Sequence, residues 1–247
     1  ETRFIAREHD AGRKQILGRE GPFSSADALQ IVLDHTSLSR QLVRKLDRWL
    51  ISEVDPLNDR LAEPLAESFR QDYDIRRLVE TMLRSNRFFS TTGYRRRVKS
   101  PIDFAVGTVR SLEGLVPTGQ LADDLAELGE NLLHPPTIAG WEGGTHWINP
   151  TTMIGRRRLA EALLSESESY GPGLSVAGLM AKRDHPSDPQ ARSFLTDLFL
   201  QADASQPALE AIDRSCPPPK SNAENDKRSW LQQLATELVS LPEYHLS

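Results

Sequence analysis

The stretch SSADALQIVLDHTSLSRQLVRKLDRWLISE, Ser24 to Glu53, decides the fold class. Leu38, Leu42, Leu46, Trp49 and Leu50 recur there every three or four positions, which puts them on one side of a helix of 3.6 residues per turn. A half-buried strand would need strict alternation, and none is present. The spacing predicts two helices meeting in this stretch. The second is expected to open at Thr36 or Ser37 as N-cap, where a short hydroxyl side chain accepts from an otherwise unpaired backbone N–H.

The same period extends along most of the chain. It predicts helices at about Pro56 to Gln71, Asp74 to Arg87, Pro101 to Leu112, Thr118 to Leu133 and Thr151 to Leu164. Pro56 and Pro101 fall where a first-turn proline is tolerated, because the N–H it lacks would have no intrahelical acceptor there. After the punctuating YGPG come shorter candidates at Leu174 to Lys182, Asp188 to Leu200, Pro207 to Asp213 and Asn225 to Leu241. At the N-terminus two β-capable runs, Phe4-Ile5 and Ile16-Leu17, flank the turn-forming Asp10-Ala11-Gly12, which predicts a small hairpin. The expected fold class is all-α: an irregular multi-helix domain with a short N-terminal β-hairpin and an ordered Gly/Trp-rich loop.

No fixed-period repeat is present, which argues against a solenoid. The stretch CPPPKSNAENDK, residues 216–227, reads as an exposed linker. Beyond it Trp230, Leu231, Leu234, Leu238 and Leu241 form an apolar stripe, so the last helix, in 228–247, is expected to dock on a helical domain spanning 1–215.

Composition bounds function loosely. In a chain of 247 residues, 38% are hydrophobic and 26% charged, and no apolar run approaches the ~18 residues of a membrane-spanning helix. A net charge of −5 supplies no global attraction to nucleic acid, so no such partner is expected. The single cysteine, Cys216, excludes an internal disulfide and a multi-cysteine zinc site. The chain opens at Glu1 with neither methionine nor an apolar leader, and reads as a product whose targeting segment is absent.

The motifs of common chemistry are missing: no GxxxxGK[ST] phosphate loop, no GxGxxG after a strand, no GxSxG elbow, no HExxH. No cofactor is expected. His9-Asp10, His134, His146 and His185 are too dispersed to pair as metal ligands by spacing, so no metal site is expected either. The stretch RSNRFFSTTGYRRRVK, Arg84 to Lys99, holds six basic residues, no acidic ones, and Phe88, Phe89 and Tyr94 among them. Arg95, Arg96, Arg97 and Lys99 are its candidate polyanion contacts. From Glu113 to Glu130 there are five acidic residues and no basic ones, so neutralisation between these two segments is the competing expectation.

The least ordinary passage is HPPTIAGWEGGTHWINP, His134 to Pro150, which holds two of the four tryptophans. Pro135-Pro136 is expected to halt a helix ending near Leu133, and Gly140, Gly143 and Gly144 permit backbone angles closed to other residues. A compact ordered loop follows, with Asn149 or Thr151 capping the next helix. Two readings of it stand side by side. Trp141 and Trp147 fold back as apolar anchors, or Trp141, Glu142, His146, Trp147 and Asn149 line a cleft that holds a sugar or peptide.

Around this loop the run ELGENLLHPPTIAGWEGGTHWINPTTMIGRRR resembles the signature of a large bacterial family, the domain of unknown function 1800. The resemblance extends to REHDAGRKQILGREG with its His-Asp and Leu-Gly pairs, to QLVRKLDRWL, to VKSPIDFAVGTVRSL and to the closing LPEYHLS, in the family's order. It implies a mostly helical protein, often exported to the periplasm or beyond the cell. It also implies a gene frequently beside that of a second family with a sulfatase-like fold, and a C-terminal portion of a longer architecture. No activity comes with it. Two functions are carried forward: a non-catalytic binding or assembly protein acting with a partner or on cell-surface material, and an enzyme, a glycan-directed hydrolase using Glu142 as general acid or base.

Overall fold

A computed structural model describes residues 5–165, 169–171, 174–183, 188–221 and 223–247. The decisive stretch is helical as its period requires. Ser24 accepts from the Asp27 N–H, and the Asp27 carboxylate accepts from the Ser24 N–H, a reciprocal cap that opens α1 (Ser25–Asp34). Helix α2 (Thr36–Leu50) begins one residue earlier than expected, because the His35 imidazole accepts from the Ser37 N–H. The buried face of α2 is Ser39, Val43 and Asp47, flanked by the partly buried Leu42, Leu46 and Leu50. Trp49 departs from the predicted stripe and is 65% exposed. The reason is Asp47, which turns inward to a bidentate pair with Arg87 (Nε–Oδ1 2.8 Å, Nη2–Oδ2 2.9 Å). That guanidinium also donates to the Asp55 carbonyl.

The described residues form two compact units, divided between Tyr94 and Arg95. In the first, α1 and α2 are followed by α3 (Asp59–Asp72) and α4 (Ile75–Leu83). Val43, Ile51, Leu57, Ala66, Phe69 and Met82 lie in its core. Helix α3 starts at the Asn58 cap and not at Pro56, since the Asn58 side chain accepts from the Leu61 N–H at 3.1 Å. The hairpin is real but sits elsewhere than predicted. Strands β1 (Lys14–Ile16) and β2 (Arg19–Gly21) pair antiparallel, Ile16 opposite Arg19, around a two-residue turn in which Leu17 and Gly18 have φ of 46° and 80°. Asp10 to Gly12 forms a separate turn in which the Asp10 carboxylate accepts from the Gly12 N–H at 2.8 Å. Ile5 precedes a short 3-10 turn, Ala6–Glu8, and Phe4 lies outside the described residues.

The second unit holds α5 (Pro101–Ser111), α6 (Thr118–Glu127), α7 (Pro150–Leu164), α8 (Val176–Lys182), α9 (Asp188–Leu200), α10 (Gln206–Ser215) and α11 (Glu224–Ser240). Helix α11 runs through its middle against α7, α8 and α9, burying Trp230, Leu231, Leu234, Ala235, Leu238 and Val239. Cys216 is buried beside it, its carbonyl accepting from Trp230 Nε1 at 3.3 Å. After α11 a 3-10 turn, Pro242–His245, drops Tyr244 and His245 into the core. The chain then runs antiparallel to 97–99. The Arg97 N–H donates to the Ser247 carbonyl at 3.1 Å, the Ser247 N–H to the Arg97 carbonyl at 2.8 Å, and the Lys99 N–H to the His245 carbonyl at 2.8 Å.

Candidate functional site

Helix α6 ends at Glu127, six residues before the end expected near Leu133 ahead of Pro135-Pro136. Gly129 takes φ +93°, its N–H donates to the Ala126 carbonyl, and the Glu130 N–H donates to that of Leu125 at 2.9 Å. This pair of hydrogen bonds closes the helix around a left-handed glycine before the prolines act. Residues 129–149 then form one long connection to α7. Gly140, Gly143 and Gly144 all have positive φ, as their type allows. The connection is fixed locally: Thr137 Oγ1 donates to the Gly140 carbonyl at 3.1 Å and Thr152 Oγ1 to that of Trp147 at 2.9 Å. Asn149 caps α7 as expected, accepting from the Thr152 N–H at 3.0 Å.

The candidate residues of the loop occupy different settings. Trp141 and Trp147 are both half-buried, and neither belongs to a core cluster. Glu142 and His146 are exposed and meet each other, Oε2 to Nε2, at 2.7 Å. Asn149 is committed to its cap. The apolar side chains that sequence reasoning passed over stand out: Leu133 is 92% exposed and Ile138 is fully exposed. Leucine or isoleucine alone on a surface is ordinary. Here they sit on one hydrogen-bonded loop with two half-buried tryptophans and with Ile148, itself 37% exposed.

The basic residues of 95–99 are largely engaged within their own unit. Arg95 Nη2 donates to the Leu200 carbonyl at 2.9 Å, and its guanidinium lies 3.9 Å from the Asp203 carboxylate. Those partners come from the end of α9, not from the acidic segment 113–130; Glu113 pairs instead with Arg183. Arg96 is exposed. Arg97 forms the backbone ladder with Ser247. Lys99 lies with its Nζ 3.8 Å from the Tyr244 ring centroid, and burial pushes its ammonium down to about 8.

Behind Lys99 is a buried polar group that the sequence reading missed. Arg156, on α7, is fully buried and donates from Nη2 to the Lys99 carbonyl at 2.7 Å. Its Nη1 is 3.4 Å from His245 Nδ1, and its Cζ lies 5.4 Å from the centroid of Phe104. Burial lowers the guanidinium to about 10, opposed by the charge of Glu130. Glu130 in turn accepts from the Ile102 N–H at 2.8 Å, on the first turn of α5. His245 stacks on Phe104 with centroids 5.3 Å apart, and burial together with Arg156 and Lys99 lowers its imidazole to about 4. A signal for Arg156 did exist. It falls in helical phase with Leu159, Ala160 and Leu163, the buried stripe of α7.

Among the described residues no three His, Cys, Asp or Glu side chains gather in a metal-binding group, and no helix is long and apolar enough to cross a membrane. His185 lies outside the described residues. A family model described as "Protein of unknown function (DUF1800)" matches residues 1–246. No curated protein and no solved structure matches the chain.

Proposed function

The chain belongs to the DUF1800 family, and on that premise we propose that it is a non-catalytic binding or assembly protein, exported, whose loop 129–149 meets a partner or cell-surface material. One observation carries the reading: two large apolar side chains, Leu133 and Ile138, are held out in solvent on a loop whose backbone is hydrogen-bonded and whose tryptophans are half-buried. Exposing them costs hydration free energy in the isolated chain, and covering them in a complex recovers it. Export rests on the family resemblance. So does the first partner to try, the co-encoded protein of sulfatase-like fold. The enzymatic alternative has less support, since Glu142 stands open to water on His146 instead of between apolar walls.

The test is a pull-down from the native source with the tagged chain and with a Leu133→Ser/Ile138→Ser variant. A stoichiometric protein or glycan retained by the parent and lost by the variant, at an unchanged melting temperature, is the expected result. Equal capture by both would overturn the reading. So would glycan cleavage that Glu142→Gln abolishes.

A further inference from the structure

We propose that Lys99 is a site of reversible carboxylation, its side-chain nitrogen taking up carbon dioxide to form a carbamate that is stabilised by the guanidiniums of Arg97 and Arg156. The setting of Lys99 is cationic. Arg156 donates to its carbonyl at 2.7 Å, Arg97 is two residues away, and the charge of Arg95 also repels its ammonium. The carboxylates whose charge reaches this group are spent at the start of α5: Asp103 accepts from the Ser100 N–H at 3.2 Å, and Glu130 from the Ile102 N–H at 2.8 Å. Lys99 Nζ meets neither of them. It lies 3.8 Å from the Tyr244 ring centroid and makes no hydrogen bond or ion pair among the described residues.

Two donors in this group are also unanswered. Among the described residues, the buried side-chain nitrogen and oxygen atoms without a hydrogen-bond partner are Nε of Arg97 and Nε of Arg156. A buried N–H left unpaired costs free energy, and such groups are rare unless something else satisfies them. His245, the remaining titratable neighbour, turns Nδ1 to Arg156 Nη1 at 3.4 Å and carries no charge at neutral pH. An oxyanion formed at Lys99 exchanges a repelled cation for an attracted anion and brings acceptors into the part of the fold that holds both donors.

The reaction needs a neutral amine. Burial and the surrounding cations supply it, since with the ammonium lowered to about 8 roughly a quarter of Lys99 is unprotonated near pH 7.5, against well under about 1% of an ordinary lysine. The Nζ lone pair adds to the carbon of CO2, an N–C bond forms, and the electron pair of one C=O bond moves onto oxygen. The nitrogen releases a proton to water, which leaves a carbamate of charge −1. No oxidant or reductant enters. Carbon dioxide is favoured over an aldehyde or an acyl donor because its adduct alone is an anion, and because a three-atom apolar molecule reaches a part-buried amine beside an aromatic ring.

The chain equilibrated with ¹³C-bicarbonate near pH 7.5, trapped with triethyloxonium and digested for mass spectrometry, tests this. The trapped ester is expected on Lys99 at roughly ten times its level on any of the other five lysines, which serve as internal references. Arg97→Gln should lower the yield severalfold. Bicarbonate in place of chloride, at equal pH and ionic strength, should raise the melting temperature of the parent by about 2 °C and leave that of Lys99→Arg unchanged. The proposal fails if Lys99 carries no ester, if all six lysines are labelled alike, if Arg97→Gln is labelled as well as the parent, or if Lys99→Arg keeps the bicarbonate shift. Labelling of the parent requires no variant to fold, and partner capture through Leu133 and Ile138 is read in a separate assay.

Discussion

Asn149 and Arg156 lie seven residues apart and show what a single side chain reveals in advance. Asn149 was legible as a cap because its chemistry is local: an amide oxygen, an extended backbone and an N–H three residues on. Arg156 was not, because its partners Lys99 and His245 are distant in sequence and only folding brings them together. The tryptophans fall between these cases. Both are half-buried but lie outside the cores. Trp147→Ala is therefore expected to cost about 2 kcal/mol in urea unfolding, less than the ~3–5 kcal/mol of a core aromatic. Ile138→Ser, which strips only a solvent-facing side chain, should stay within about 0.5 kcal/mol of the parent. If the two variants lost equal stability, the loop would be packed differently from the arrangement described.

Elements were legible where their signals were uncontested and shifted where two signals competed. The end of α6 was assigned to Pro135-Pro136, yet Gly129 acts first, because a left-handed residue closes the terminal carbonyls as soon as the chain reaches it. The hairpin turn was assigned to Asp10-Ala11-Gly12. The pairing forms instead around Leu17-Gly18, and a non-glycine residue with positive φ hides that turn from a composition-based reading. Helix α5 is the contrasting case, predicted from Pro101 and found there, with Ser100 and Asp103 capping each other. Its start is held by a second group that no local pattern displays, the Glu130 carboxylate on the Ile102 N–H. Ser100→Ala should cost about 1 kcal/mol. Glu130→Ala should cost more, about 2–3 kcal/mol, since it strips the part-buried Ile102 N–H of its acceptor and also removes the negative charge near Arg156. Chemical denaturation of the two variants checks the order; a larger loss for Ser100→Ala would contradict it.

At the scale of the molecule, the helical class was readable from period alone, whereas the division between Tyr94 and Arg95 was not. That division falls inside the basic stretch, and nothing in composition changes across it. The units should nevertheless respond differently to acid. In the second, His245 is 4% exposed beside Arg156 and Lys99 and titrates near 4, whereas the unfolded chain titrates near its ordinary 6.5. Between those values the unfolded state takes up a proton that the folded state refuses, so stability falls as pH drops from about 6.5 to 4 and levels off below. The expected loss is about 3 kcal/mol. Comparing unfolding of the parent with His245→Asn across this window isolates the effect, and equal slopes would refute it. The ladder between 97–99 and 245–247 also bears on how the protein is made. Its first strand leaves the ribosome early in the second unit and its other strand only after α11, so while the chain between them is still being elongated the first unit is able to settle around its own core. The Phe104 pocket meanwhile stays open, without Tyr244 or His245 to fill it. A nascent chain stalled before Tyr244 should therefore carry a protease-resistant first unit ahead of a labile second one.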